Sequence, residues 1–99
     1  MTINLERSGA ELHIARGYGR LCAIHREVQP RFVPLVPVGD YEIRMVAPAA
    51  DQPDTLFWLE LFETTSETTV DSYRCHNIKD AIPVFEHFVA QASRQKAYH

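Results

Sequence analysis

The clearest hydrophobic pattern lies near the C-terminus, in DAIPVFEHFVAQASRQ (residues 80–95). At helical spacing its apolar side chains share one face: Ile82, Phe85, Phe88, Val89 and Ala92. The polar side chains take the opposite face: Glu86, His87, Gln91 and Arg94. Because proline is tolerated only in the first turn of a helix, Pro83 points to Asp80 as the N-cap. The segment predicts an amphipathic helix.

Alternation of period two marks the middle of the chain. In YEIRMVA (residues 41–47), Tyr41, Ile43 and Met45 share one side, and this pattern predicts a half-buried strand. The preceding Gly39-Asp40 suits a tight hairpin turn. Before it, QPRFVPLVP (residues 29–37) contains three prolines, which cannot sit in a central strand. We therefore expect an extended segment at a sheet edge or in a loop.

The segment TLFWLELFETT (residues 55–65) is apolar on both alternating sides. Bounded by threonines and rich in aromatic residues, it predicts a strand that is central or that binds something with its second face. A buried helix is the competing interpretation, because short apolar runs are ambiguous by periodicity. TTVDSYRC (residues 68–75) reads as the returning strand, after a turn near Ser66 and Glu67.

The N-terminal quarter admits two interpretations. Residues 8–16 can form a helix with Ser8 as N-cap and Gly17 as its end, or a strand in which apolar and polar residues alternate. We favour the strand, with GYG (residues 17–19) turning into a second strand, RLCAIHREV (residues 20–28).

Together these elements predict a single α+β domain over residues 1–99. We expect an antiparallel, meander-like sheet of about four to six strands, with the C-terminal amphipathic helix packed on one face.

Composition places the chain among ordinary globular proteins, since 45% of its residues are hydrophobic and 23% are charged. No apolar run approaches the roughly 18 residues that a membrane span requires. The N-terminus lacks the pattern of a secretory signal, so we expect a cytoplasmic protein. In that compartment Cys22 and Cys75 are expected as reduced thiols, although the sequence also allows a disulfide between them.

Charge is distributed unevenly. Between Met45 and Tyr73 there are six acidic residues and no Lys or Arg, whereas all ten basic residues lie outside this window. No basic stripe of the kind that grips phosphates is present, so we expect no direct nucleic-acid binding.

The cysteines and histidines could suggest a metal centre. Cys22, His25, Cys75 and His76 match a two-cysteine, two-histidine zinc set by number. On strands, however, positions 22 and 25, and positions 75 and 76, point to opposite faces. We expect no metal and no cofactor.

A thiol enzyme is the alternative function. It would use Cys75 as nucleophile, His76 or His87 as base and Asp80 to orient the base. Neighbouring residues on a strand cannot meet, so His76 is a poor base for Cys75. We therefore favour a non-catalytic protein and keep a small-ligand or thiol-dependent activity centred on Cys75 as the alternative.

The acidic window carries the favoured hypothesis, a small binding or regulatory protein that engages a protein partner through an acidic β-hairpin. Complementary charge would steer a basic partner, and aromatic side chains would anchor it. The type resembles inhibitors or accessory factors of a bacterium or mobile element, and a homodimer is left open. The proposed partner-binding residues are Trp58, Glu60, Phe62, Glu63, Glu67 and Asp71.

Overall fold

The computed structural model of the chain describes residues 2–97, with side chains for residues 9–94. In that range the element order is α1 (Thr2–Ala23), β1 (Phe32–Val38), β2 (Tyr41–Val46), β3 (Phe57–Glu63), β4 (Thr68–Cys75) and α2 (Ile78–Ala97). The four strands form one antiparallel sheet in the order β1-β2-β3-β4, a simple meander. The predicted α+β fold is confirmed, with a strand number at the lower end of the expected range.

The strands and turns lie where the hydrophobic pattern predicts them. Gly39 has a φ of 61°, a positive value at the first of two turn residues, as a type II′ hairpin turn requires. The second hairpin turns through residues 64–67, where Glu67 adopts a φ of 53°. The proline-containing segment forms the edge strand β1, with an irregularity between Pro34 and Val36.

The core lies on one face of the sheet. Alternate positions of the two central strands, β2 and β3, are completely buried there: Ile43, Met45, Phe57, Leu59 and Leu61. Both helices pack on this same face, because the buried side chains of α1 and α2 belong to one cluster with these residues. The molecule is therefore a two-layer structure, about 20 Å across its shortest axis.

The N-terminal prediction is wrong. Residues 8–16 and the predicted second strand, residues 20–28, do not form strands: α1 runs through the GYG segment to Ala23, and residues 24–31 form a loop. Buried positions along α1 follow a helical stripe: Ala10, Ile14, Gly17 and Leu21. Leu12, which supported the strand alternation, is instead 48% exposed.

The C-terminal helix is confirmed, but its cap is not the predicted one. Asn77 caps α2, because its side-chain Oδ1 accepts a hydrogen bond of 2.8 Å from the backbone N–H of Asp80. Asp80 lies in the first turn, where a carboxylate interacts favourably with the helix dipole. Pro83 lies in the second turn rather than the first, and the helix continues through it.

Gly17 allows α1 to lie close to the sheet. A Cβ atom at this position would collide with the side chain of Leu35, which is buried, and would touch Met45 at an ordinary contact distance. We expect Gly17→Ala to lower the free energy of unfolding by about 1–3 kcal/mol, the usual cost of overpacking a core. Chemical denaturation of the purified variant measures this change.

Gly19→Ala is the matched control. It lies in the same helix, but nothing surrounds its Cβ position within 4 Å. We expect this variant to gain up to about 1 kcal/mol from helix propensity. If Gly17→Ala stabilised the protein as much as Gly19→Ala does, the close approach of α1 to β1 and β2 would be wrong.

Candidate functional site

The face of the sheet opposite the helices is here called the open face. The strand register places on it the side chains that alternate with the core positions: Phe32, Pro34, Glu42, Arg44, Val46, Trp58, Glu60, Phe62, Thr69, Ser72 and Arg74. None of these residues is fully buried, and no described helix packs over them. A sheet face this rich in aromatic and aliphatic groups is unusual on a side that faces water.

Arg44 is the centre of the open face. Its guanidinium carbon lies 3.6 Å from the ring centroid of Phe62 and 4.6 Å from that of Phe32, so two aromatic rings from the flanking strands contact the cation. The Arg44 Nε donates a hydrogen bond of 2.7 Å to the Glu42 carboxylate. Cation–π contacts and the ion pair therefore fix both rings in defined orientations.

Trp58 lies on β3 beside this cluster. Its indole N–H donates a hydrogen bond of 3.1 Å to the side-chain oxygen of Gln52, which also accepts one from the backbone N–H of Ala49. The indole is half-buried beside the loop between β2 and β3. Because the indole N–H already has a hydrogen-bond acceptor, covering the ring would not leave a polar group buried without a partner.

The structure divides the six predicted partner-binding residues between three places. Trp58, Glu60 and Phe62 lie together on the open face, at alternate positions of β3. Glu67 is exposed in the β3–β4 turn. The remaining two lie on the helix-facing side of the sheet, where Glu63 pairs with Tyr41 across the strands and Asp71 pairs with Leu61.

The hairpin end is a separate acidic region. The Ser66 hydroxyl donates a hydrogen bond of 2.6 Å to the Glu63 carboxylate, which orients this side chain at the turn. Partial burial, together with the neighbouring Glu63 and Asp40 carboxylates, raises the pKa of Tyr41. The Asp40, Glu63 and Glu67 carboxylates therefore lie at the same end of the sheet, where both hairpins turn.

Sequence reasoning missed Arg44, Phe32 and Glu42 as members of this site. The alternation in YEIRMVA assigned Glu42 and Arg44 to the polar side of a strand, where they read as ordinary surface charges. Their contacts depend on the β1–β2 and β2–β3 registers, which bring Phe32 and Phe62 diagonally across from Arg44. The sequence did offer one indication of this site: Arg44 lies on a predicted strand between two segments that each contain a phenylalanine, Phe32 and Phe62.

The cysteines and histidines do not form a centre within the described residues. Cys75 is completely buried at the end of β4, and both cysteines are free thiols. His76 follows Cys75 but donates from Nδ1 to the carbonyl oxygen of Asp54 at 2.8 Å, which holds its ring outside the core. In residues 2–97, no three His, Cys, Asp or Glu side chains come together as metal ligands would.

The Cys75 thiol is poorly suited to nucleophilic chemistry. Burial, reinforced by the negative charge of Asp80, raises the pKa of Cys75 to about 11. A reactive cysteine needs the opposite environment, one that is partly exposed and electropositive. At neutral pH the folded protein therefore holds this group almost entirely as the protonated thiol.

A groove runs between β4 and α2 above the buried Cys75. Its volume is about 810 Å³, and its floor is made by Val84 and Phe88 of α2. Charged and polar side chains of both signs form its rim: Asp71, Tyr73, His76, Lys79, Asp80 and His87. The groove is open to solvent.

Comparison with protein-family models, with curated proteins and with solved structures finds no match for this chain. The helices in residues 2–97 are not long and apolar enough to cross a membrane.

Thiol labelling tests the role of Cys75. In a Cys22→Ser background, iodoacetamide at neutral pH should leave Cys75 unmodified in the folded protein and modify it after denaturation. The complementary Cys75→Ala variant should be labelled in the folded state, because Cys22 is exposed. Intact-mass spectrometry measures both. Rapid labelling of folded Cys22→Ser protein would support the thiol-enzyme alternative.

Proposed function

We propose that the protein is a small non-catalytic binding or regulatory protein that engages a protein partner through the open face, with the acidic end of the β3–β4 hairpin beside it. The observation that carries the proposal is the uncovered sheet face on which Phe32 and Phe62 flank Arg44, with Trp58 on the same face beside them.

The aromatic side chains would supply the affinity. Full burial of a large apolar side chain contributes about 1.5–3 kcal/mol, and Trp and Arg are prominent among interface hot spots. Here the rings are already held by Arg44 and Gln52, so ordering them on binding costs little side-chain entropy. A preorganised, half-buried aromatic surface of this kind favours a protein partner that presents apolar groups.

The acidic side chains would supply steering and selectivity. Glu60 lies on the open face, and Glu63 and Glu67 lie at the adjoining hairpin end, in a stretch of sequence without Lys or Arg. Charge complementarity then favours a basic surface on the partner, and its attraction accelerates association. We therefore expect a partner that combines an apolar patch with lysine or arginine at its rim.

Photo-crosslinking can capture this partner. A photoreactive phenylalanine derivative replaces Phe62 on the open face, and the same group replaces Leu12, an exposed apolar residue of α1, as the control. In an extract of the source cells, the probe at position 62 should yield a crosslinked protein that the probe at position 12 does not. Mass spectrometry identifies the product.

With the captured partner in hand, Trp58→Ala tests the anchor. We expect the dissociation rate to rise and the affinity to fall by at least about 2 kcal/mol, with a folded protein by circular dichroism. Leu12→Ala removes an exposed apolar side chain from the helical layer and should leave binding unchanged. Equal affinity of Trp58→Ala and wild type would refute the open face as the binding surface.

Charge reversal tests the steering. Changing Glu60, Glu63 and Glu67 together to Lys should lower the association rate at low salt, and added salt should reduce the difference. Stopped-flow or surface-based kinetics measures the rate.

The matched control reverses three exposed acids elsewhere, Glu11, Glu27 and Glu86. It alters the net charge equally but leaves the hairpin unchanged. If both triple variants slowed association to the same extent, net charge rather than the hairpin would account for the steering.

A further inference from the structure

The two edges of the sheet are protected to different degrees. An edge strand presents unpaired backbone N–H and C=O groups, which can pair with another chain unless something blocks them. In β1, Pro34 and Pro37 have no N–H, the strand is irregular after Pro34, and the Pro34 carbonyl accepts a hydrogen bond of 2.9 Å from Arg20 of α1. This edge is closed to a further strand.

The opposite edge, β4, is interrupted only at Val70, the extra residue of a bulge between Thr69 and Asp71, and its residues 71–75 pair regularly with β3. Its sequence TTVDSYRC contains neither proline nor lysine, and among the described residues it contacts only β3 and α2. Tyr73 points to the helix-facing side, opposite Leu59, yet it is 56% exposed because the groove beside α2 leaves it uncovered. An exposed aromatic residue next to an unpaired backbone edge is typical of a strand that pairs with another strand.

We propose that β4 pairs antiparallel with β4 of a second copy of this chain, which joins two sheets into one of eight strands. We choose a second copy as the pairing strand because, in one register, the side chains of two β4 strands complement each other. In a two-fold antiparallel pair, directly opposite side chains lie on the same face of the sheet. The two-fold axis keeps each side chain of β4 on its own face of the sheet. Opposite residues can therefore share a face only when one residue of β4 lies opposite its own copy.

Charge and burial select among these registers. A register in which Asp71 lies opposite its own copy brings two carboxylates together. One in which Arg74 lies opposite its own copy brings two guanidinium groups together, and both arrangements are unfavourable. Centring on Tyr73 sets the Asp71 carboxylate against Cys75, a buried thiol at the strand end. In the register centred on Ser72, Asp71 of each copy lies opposite Tyr73 of the other copy. Each Tyr73 hydroxyl can then donate a hydrogen bond to an Asp71 carboxylate.

The Ser72 register also fits the rest of the edge. The residues that it pairs, 71–73, lie in the regular part of β4, beyond the bulge at Val70. Each Tyr73 lies over the mouth of a groove, and the two α2 helices flank the junction on the same side. The open faces of the two copies become continuous, which doubles the surface available to a partner.

Sedimentation equilibrium of the purified full chain tests the pairing. We expect wild type to show twice the chain mass of 11.3 kDa at micromolar concentrations. Ser72→Glu and Ser72→Lys should each give 11.3 kDa, because like charges meet at the axis, and an equimolar mixture of the two should return to the dimer mass. Ser93→Glu, on the exposed side of α2, adds the same charge away from β4 and should remain dimeric.

A disulfide tests the register. In a Cys22→Ser background, Ser72→Cys should form an intermolecular disulfide on mild oxidation, since opposed strand residues have Cα separations that a disulfide spans. Ser93→Cys should not form one. A wild-type protein that is monomeric up to millimolar concentration, or a dimer that persists in Ser72→Glu and dissociates in Trp58→Ala, overturns the proposal. Neither result bears on partner capture through Phe62, so the two proposals fail separately.

Discussion

A four-stranded sheet has two faces, and the helices of this chain cover only one of them. Burial of Ile43, Met45, Phe57, Leu59 and Leu61 against α1 and α2 holds the layers together. Because strand side chains alternate, this packing also fixes the residues that point the other way. A shift of one residue in any strand would exchange the two sets, so the core register determines the composition of the open face.

The open face is built from interactions that restrain aromatic rings without burying them. Arg44 lies between Phe32 and Phe62 and is held by Glu42, while Gln52 holds the Trp58 indole. Two of these contacts are hydrogen bonds, which satisfy the Arg44 Nε–H and the Trp58 indole N–H. The aromatic rings that stay partly exposed on this face are therefore held in place by contacts with polar side chains.

The sheet and C-terminal helix could be predicted from the sequence, because each is encoded by local alternation or helical periodicity. The N-terminal helix could not, since Gly17 and Gly19 resemble a turn and the local alternation of Leu12 and Ile14 resembles a strand. Gly17 instead allows a close approach to Leu35, a tertiary contact that no local pattern reveals. The same holds for the site: Trp58 and Phe62 stood out as aromatic residues, whereas Arg44 acquires its role from two neighbouring strands.

The most direct test of this account uses Trp58, the only tryptophan of the chain, as a reporter of the open face. Acrylamide quenching of its fluorescence should be efficient in the free protein and unchanged across the concentrations at which two copies associate, because pairing through β4 leaves the open face in water. Addition of the captured partner should shield Trp58 and reduce the quenching constant. A Trp58 that is shielded from acrylamide in the free protein, or that stays equally accessible in the complex, would contradict the account.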